Sequence, residues 1–328
     1  MDEYRGQKVL ITGGLGFIGS NLAIRLVSAG ASVTLVDSFE PHCGANPFNI
    51  EPICKDIEAA VRGDVRDLDL MCRLVRGQQF VFSLAGSVSH LESMQDPFND
   101  LQLNCLGPLT VLEACRRANL DVRVIYSGTR QAYGRPQSLP LVETHPLRPI
   151  DINGVNKMTG EAYHLVYYHA YGLPAVSLRL VNTFGPRQLV RHSRQGFIGW
   201  FIRQAIDGEE IQLYGDGQQL RGFNYIDEVV DALLLAGVRK NVYGDVFNLG
   251  GSQPYTLEHF VKILLRITGR GSYRIVPFPC DKRTIDVGSV YTSSAKFANA
   301  TGWKPSVPLE QALARTVEYY QQYHAHYW

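Results

Sequence analysis

The sequence predicts an α/β protein: a doubly wound parallel sheet with a smaller C-terminal α/β lobe. Two observations carry this. Short apolar runs alternate with stretches of helical periodicity as far as Asn182, and a glycine-rich turn separates the first run from the first helical stretch.

Residues 9–12 form the first strand-like run. Ile18, Leu22 and Leu26 then share one helical face, and Gly30 suits a helix stop. Residues 32–36 read as a second buried strand ending in Asp37. Similar runs recur at 80–84, 122–126 and 175–180, with helical stretches near 99–118 and 155–171 between them. Beyond Asn182 the segments shorten and gain glycine and proline, as in Phe184-Gly185-Pro186 and Gly250-Gly251. Helices remain readable at 197–206, 227–238, 257–267 and 309–323. The division is therefore a first domain over 1–182 and a second lobe over 183–328, with segments interleaved because no linker separates them.

Composition excludes several classes. A formal net charge of +1 gives no electrostatic footprint for nucleic acid. No apolar run reaches the length of a membrane span. The six cysteines, at 43, 54, 72, 105, 115 and 280, lack CxxC spacing, so reduced thiols are expected, and no metal site. Residues 1–7 are short and polar, unlike a signal peptide, and a cytoplasmic location is the expectation.

The turn Thr12-Gly13-Gly14-Leu15-Gly16-Phe17-Ile18-Gly19 follows a strand and opens a helix. Glycines at 13, 16 and 19 permit the tight bend, the approach of backbone to a pyrophosphate and close helix–strand packing. Helix N-terminal N–H groups then face the phosphates. Asp37 stands 18 residues beyond Gly19, where a carboxylate accepts hydrogen bonds from ribose hydroxyls and repels a 2′-phosphate. The pattern is that of a Rossmann domain binding NAD rather than NADP. Asp64-Val65, in a turn after the third strand, is a weaker candidate for contact with the adenine.

From these residues onward the chain resembles the extended short-chain dehydrogenase/reductases, in particular the nucleotide-sugar epimerases and dehydratases. The TGGxGFIG turn is that family's form of the glycine motif. Leu84-Ala85-Gly86 matches the turn flanking the cofactor after strand four, and Arg179 to Arg187 matches RxxNxYGPR. Gly215 to Ile226 resembles GDGxQxRDFxYV, although Gly222 replaces the usual Asp, and Gly302-Trp303-Lys304-Pro305 matches GWxP. The resemblance implies bound NAD, a nucleoside-diphosphate sugar in the second lobe, and a homodimer formed through the helices near 99–118 and 155–171. In the second helix Tyr163, Val166, Tyr167 and Tyr171 are spaced to share a face. It also implies that Ser87 and Asn182 contact the substrate, and that Arg221 and Arg283 clamp its phosphates.

The family's catalytic core is a Ser/Thr, a Tyr acting as acid/base, and a Lys four residues later that lowers the Tyr pKa and holds the nicotinamide ribose. Here Thr129 stands at the first position and Lys157 at the last, but the Tyr position is Asn153. An amide has no useful proton affinity near neutral pH. The only Tyr-x-x-x-Lys spelling, Tyr4 to Lys8, precedes the first strand. His90, on the segment following Gly86, is the candidate substitute, because imidazole titrates in the right range. Against it stands an ordinary structural or solvent-facing histidine. The 4,6-dehydratases follow the Ser/Thr with Asp-Glu and the decarboxylases also place a Glu there, whereas this chain has Arg130-Gln131. Neither chemistry is supported by side chains without a carboxylate. Arg130 suits either an anionic substituent such as a uronate carboxylate or a buried structural role. Three functions remain open: an epimerase that transiently oxidises a ring carbon, a reductase or dehydratase with relocated acid/base groups, and a non-catalytic NAD- or nucleotide-sugar-binding protein.

Overall fold

The computed structural model describes residues 2–40, 42–279 and 286–328. Seven strands form one parallel sheet in the order β3-β2-β1-β4-β5-β6-β10: β1 (Lys8–Thr12), β2 (Ser32–Asp37), β3 (Ala59–Arg62), β4 (Phe80–Ser83), β5 (Arg123–Thr129), β6 (Ala175–Leu180) and β10 (Val246–Leu249). The strands are short runs of β-branched and aromatic residues, and the central ones are buried on both faces, as a parallel sheet between helical layers requires. Strand order reverses between β1 and β4, so the turns after these strands splay apart and open a crevice at the carboxyl ends.

One face of the sheet is covered by α1 (Phe17–Ser28) and α8 (Ile226–Val238), whose Leu22, Leu26, Val229 and Leu233 are buried against it. The other is covered by α2 (Leu68–Val75), α5 (Gly107–Ala118) and α6 (Ile152–Tyr171), through Met71, Val111 and Tyr167. Ahead of α5 stand the short α3 (His90–Gln95) and α4 (Pro97–Leu101). The stretch near 99–118 is not one regular helix. A π-helical turn, Gln102–Leu106, joins α4 to α5, where Pro108 has no N–H to offer the carbonyl one turn back.

The chain after Asn182 forms two small sheets. One has the order β11-β9-β7, from β7 (Asn182–Phe184), β9 (Leu220–Tyr225) and β11 (Pro254–Thr256). The other pairs β8 (Glu210–Tyr214) with β12 (Ser272–Val276). Among the described residues four helices accompany them: α7 (Phe197–Asp207), α9 (Leu257–Thr268), α10 (Ala295–Thr301) and α11 (Leu309–Gln322). β10 leaves this region to join the edge of the large sheet beside β6, and one apolar core runs through both parts, from Leu22 to Phe260 and Tyr320. No helix among the described residues is long and apolar enough to cross a membrane.

Candidate active site

A cleft opens over the carboxyl ends of β1, β4 and β5. Gly13, Gly16, Phe17, Ile18, Gly19, Asp37, Asp64, Val65, Leu84, Ala85, Gly86 and Lys157 all line it, and so do His90, Thr129, Arg130 and Asn182. Residues read from seven separate stretches of sequence thus meet in one crevice.

The glycine turn is built for close approach. Gly13 has φ +68°, and a Cβ there would sit 3.0 Å from the Ala85 backbone. A Cβ on Gly19 would overlap the Gly13 carbonyl oxygen. Thr12 Oγ1 ties this turn to the next by accepting from the N–H groups of Leu84 and Ala85, at 3.0 and 3.1 Å. α1 begins at Phe17 with no side chain capping it, which leaves its N–H groups for an anion. Asp37 ends β2 nearly buried; its carboxylate accepts from Leu15 N at 3.1 Å and Phe39 N at 3.0 Å. Burial outweighs these bonds and raises its pKa above the ordinary value. The cradle and the strand-end carboxylate fit a dinucleotide with a free ribose diol. Asp64 is already gripped by Arg66 through both oxygens, which holds its carboxyl below the ordinary range.

Lys157, on α6, is buried, and burial pulls its ammonium down to about 8 against the opposing charge of Asp100. One turn earlier on α6, Asn153 is fully buried and does not line the cleft. Its Nδ2 donates to the Ser87 carbonyl at 3.0 Å and to Asp100 Oδ2 at 2.8 Å. Asp100 also accepts from Asn104 at 3.0 Å and Asn156 at 2.8 Å, so three amides surround one buried carboxylate. Asn104, carried by the π turn, in turn accepts from Ser87 N at 3.1 Å. Asn153 therefore belongs to a network behind the Gly86–Ser87 turn. Ser87 lies in the same buried layer and lines a smaller adjoining cavity.

The groups with proton-transfer chemistry stand elsewhere. His90 opens α3, where Ser89 Oγ caps the helix by accepting from Glu92 N at 3.2 Å. Its Nδ1 lies 2.6 Å from Asp151 Oδ2. The Gln131 amide nitrogen lies 2.6 Å from His90 Nε2 and 2.8 Å from its Nδ1, while Gln131 Oε1 accepts from Thr129 Oγ1 at 3.0 Å. A chain of contacts Thr129–Gln131–His90–Asp151 results, in which an Nδ1–H donated to the carboxylate would leave Nε2 as the acceptor. Asp151 is buried and caps α6 with its other oxygen, which accepts from Gly154 N at 2.7 Å. Burial alone would raise its pKa, but the hydrogen bond and charge of His90, with the Gly154 N–H, bring it below the ordinary value. Asp151 went unread in the sequence because an Asp ahead of a helix has a sufficient local explanation as a cap.

At the start of β7, Asn182 Nδ2 donates to the Gly222 carbonyl at 3.2 Å. Arg221 is buried and does not line the cleft itself. It donates to the Leu220 carbonyl and Gln219 Oε1 at 3.0 Å each, and to the Gly288 carbonyl. Arg283 lies outside the described residues.

The NAD-dependent epimerase/dehydratase family model matches residues 9–250, and the chain belongs to that family. A putative UDP-glucose 4-epimerase of Methanocaldococcus jannaschii is 30% identical over 95% of this chain and 97% of its own. Among solved structures, the UDP-glucose 4-epimerase of Thermotoga maritima with UDP-glucose aligns at TM-score 0.87 and 31% identity, covering 97% of this chain and 100% of that one. The dTDP-glucose 4,6-dehydratase of Streptomyces venezuelae with NAD aligns at TM-score 0.86 and 27% identity, covering 97% and 98%. The chain is thus an enzyme of the nucleotide-sugar epimerase/dehydratase type, and its cofactor is NAD.

Proposed function

We propose that this enzyme is an epimerase of a UDP-sugar, working by transient oxidation of a ring carbon, with His90 as the acid/base in place of the family's tyrosine. The single observation that carries the reading is the His90 Nδ1–Asp151 Oδ2 contact of 2.6 Å, with His90 lining the same cleft as Thr129 and Lys157. NAD, when bound, supplies the hydride acceptor and returns the hydride. Gly13, Gly16, Gly19 and Asp37 would hold it, and Lys157 its nicotinamide ribose. The sugar hydroxyl takes the place of the Gln131 amide at His90 Nε2, with Thr129 Oγ1 orienting it. His90 accepts the hydroxyl proton at Nε2, and Asp151 at Nδ1 stabilises the imidazolium and fixes the ring. The proton then returns from Nε2 to the same oxygen. The UDP reading rests on relatives described as UDP-glucose 4-epimerases.

We further propose a homodimer through the exposed Leu101, Leu106, Val155, Val166 and Tyr171 on the α4–α5 and α6 faces. Tyr167 is not part of that face: it is buried within the monomer and donates to Glu113. Light scattering on the purified chain gives the mass of one or two copies.

Incubation of the NAD-loaded protein with UDP-sugars distinguishes the reactions. Epimerisation leaves mass unchanged while a second sugar appears, dehydration loses water, and net reduction consumes NADH. A mass loss, or bound substrate with no turnover, contradicts the epimerase reading.

A further inference from the structure

We propose that the sugar taken by this site carries a carboxylate, held by Arg130. This rests on the nucleotide-sugar reading above and narrows it to nucleotide uronic acids.

Position comes first. Arg130 directly follows Thr129 at the end of β5 and opens the short turn Arg130–Tyr133, whose Gln131 contacts His90. It lines the cleft together with Thr129, His90 and Asn182. An anion seated on its guanidinium therefore lies beside the reacting end of the substrate.

Charge comes second. Among the described residues Arg130 makes no hydrogen bond and no ion pair. Two carboxylates are near enough to bear on it, and both are committed elsewhere. Asp151 is held by His90 and Gly154, and Asp286 lies 3.9 Å from Arg221. A second guanidinium, Arg221, adds a like charge. Burial, and then Arg221, pull Arg130 down to about 9, while burial brings Arg221 to about 10. Among the described residues, then, the carboxylates near Arg130 are engaged elsewhere while a second cation stands beside it, which favours an added anion.

The two guanidiniums differ in what they have left to do. Arg221 is fixed in place by acceptors on Gln219, Leu220 and Gly288, which suits a preset clamp for a diphosphate. Among the described residues the Arg130 side chain is uncommitted, and its planar fork matches a carboxylate through two parallel hydrogen bonds. A neutral hydroxymethyl group in the same place would exclude water and leave the cation unpaired, which works against binding.

Calorimetric titration of the NAD-loaded full chain tests this without turnover. The ligands are UDP, UDP-glucose, UDP-galactose, UDP-glucuronate and UDP-galacturonate, offered to the native protein, Arg130→Leu and Arg130→Lys. One charged hydrogen-bonding pair predicts uronates binding at least about tenfold tighter than the neutral sugars. Arg130→Leu should erase that preference, and Arg130→Lys should retain part of it. Equal affinities in the native protein overturn the proposal. So does an Arg130→Leu variant that loses UDP as severely as UDP-glucuronate, which would place Arg130 on the diphosphate. Failure of every ligand, UDP included, would instead bring down the nucleotide-sugar reading and this inference with it.

Discussion

The two walls of the cleft are built on different terms. On the wall proposed to hold the cofactor, the glycine turn, Asp37 and Lys157 line the cleft together. On the wall proposed to face the sugar, the position at which the family pattern implies a phenol holds Asn153, sunk among Ser87, Asp100, Asn104 and Asn156. The titratable pair His90–Asp151 stands nearby on other elements. Backbone geometry fixes a dinucleotide cradle and leaves few solutions, whereas a proton acceptor needs only the right pKa within reach of the substrate. One wall can therefore be rebuilt while the other stays constant.

The widest separation of the walls should come from His90→Ala. General acid–base catalysis contributes about 100- to 10,000-fold, so kcat should fall within that range while NAD content stays that of the native protein. Equal loss of NAD would mean that His90 serves the fold or the cofactor.

Lys157→Met probes the cofactor wall. The Lys157 pKa falls from 10.5 to about 8 on folding, so between those values the unfolded chain binds more protons and stability rises with pH. The cost of the buried ammonium is fully present below pH 8 and relieved above 10.5. Removing it should stabilise the NAD-free protein by roughly 3 kcal/mol at neutral pH, while weakening NAD binding. Denaturant unfolding of both proteins across this pH window reads the difference.

Asp151→Asn keeps the α6 cap but removes the charge facing His90. Loss of a charge-assisted hydrogen bond worth about 1.5–3 kcal/mol predicts a fall in kcat of about 10- to 150-fold, with little change in melting temperature. A variant with native kcat would reduce Asp151 to a helix cap.

Asn153→Tyr is the smallest and the most diagnostic. A phenol forced into a fully enclosed site should cost about 1–3 kcal/mol of stability and bring no gain in turnover. A faster enzyme would mean that the sugar wall is a damaged form of the tyrosine arrangement.

What the sequence made legible follows the same division. Strands, helices and the glycine turn come from local periodicity and from backbone requirements that few residues meet. Gly13 and Asp37 were readable because their roles depend on neighbours along the chain. The absence of the phenol was readable at Asn153, but its buried partners were not, since Ser87 and Asp100 come from other elements. The partner of His90 was hidden for the same reason: Asp151 lies 61 residues away and meets it only across the fold. The helix near 99–118 read as continuous because its apolar spacing is continuous. The π turn at Gln102–Leu106 arises from the proline that follows, and it delivers Asn104 to the Gly86–Ser87 turn.

The proposed placement of the acid/base at His90 is tested most directly by rapid mixing of the NAD-loaded protein with a UDP-sugar that it turns over. Reduced nicotinamide absorbance is followed in a single turnover. The native protein should show a transient rise that decays as the epimer forms, and His90→Ala, loaded with the same amount of NAD, should show the rise slowed by the factor that separates the two kcat values. An undiminished rise in His90→Ala would contradict the assignment of the proton to His90.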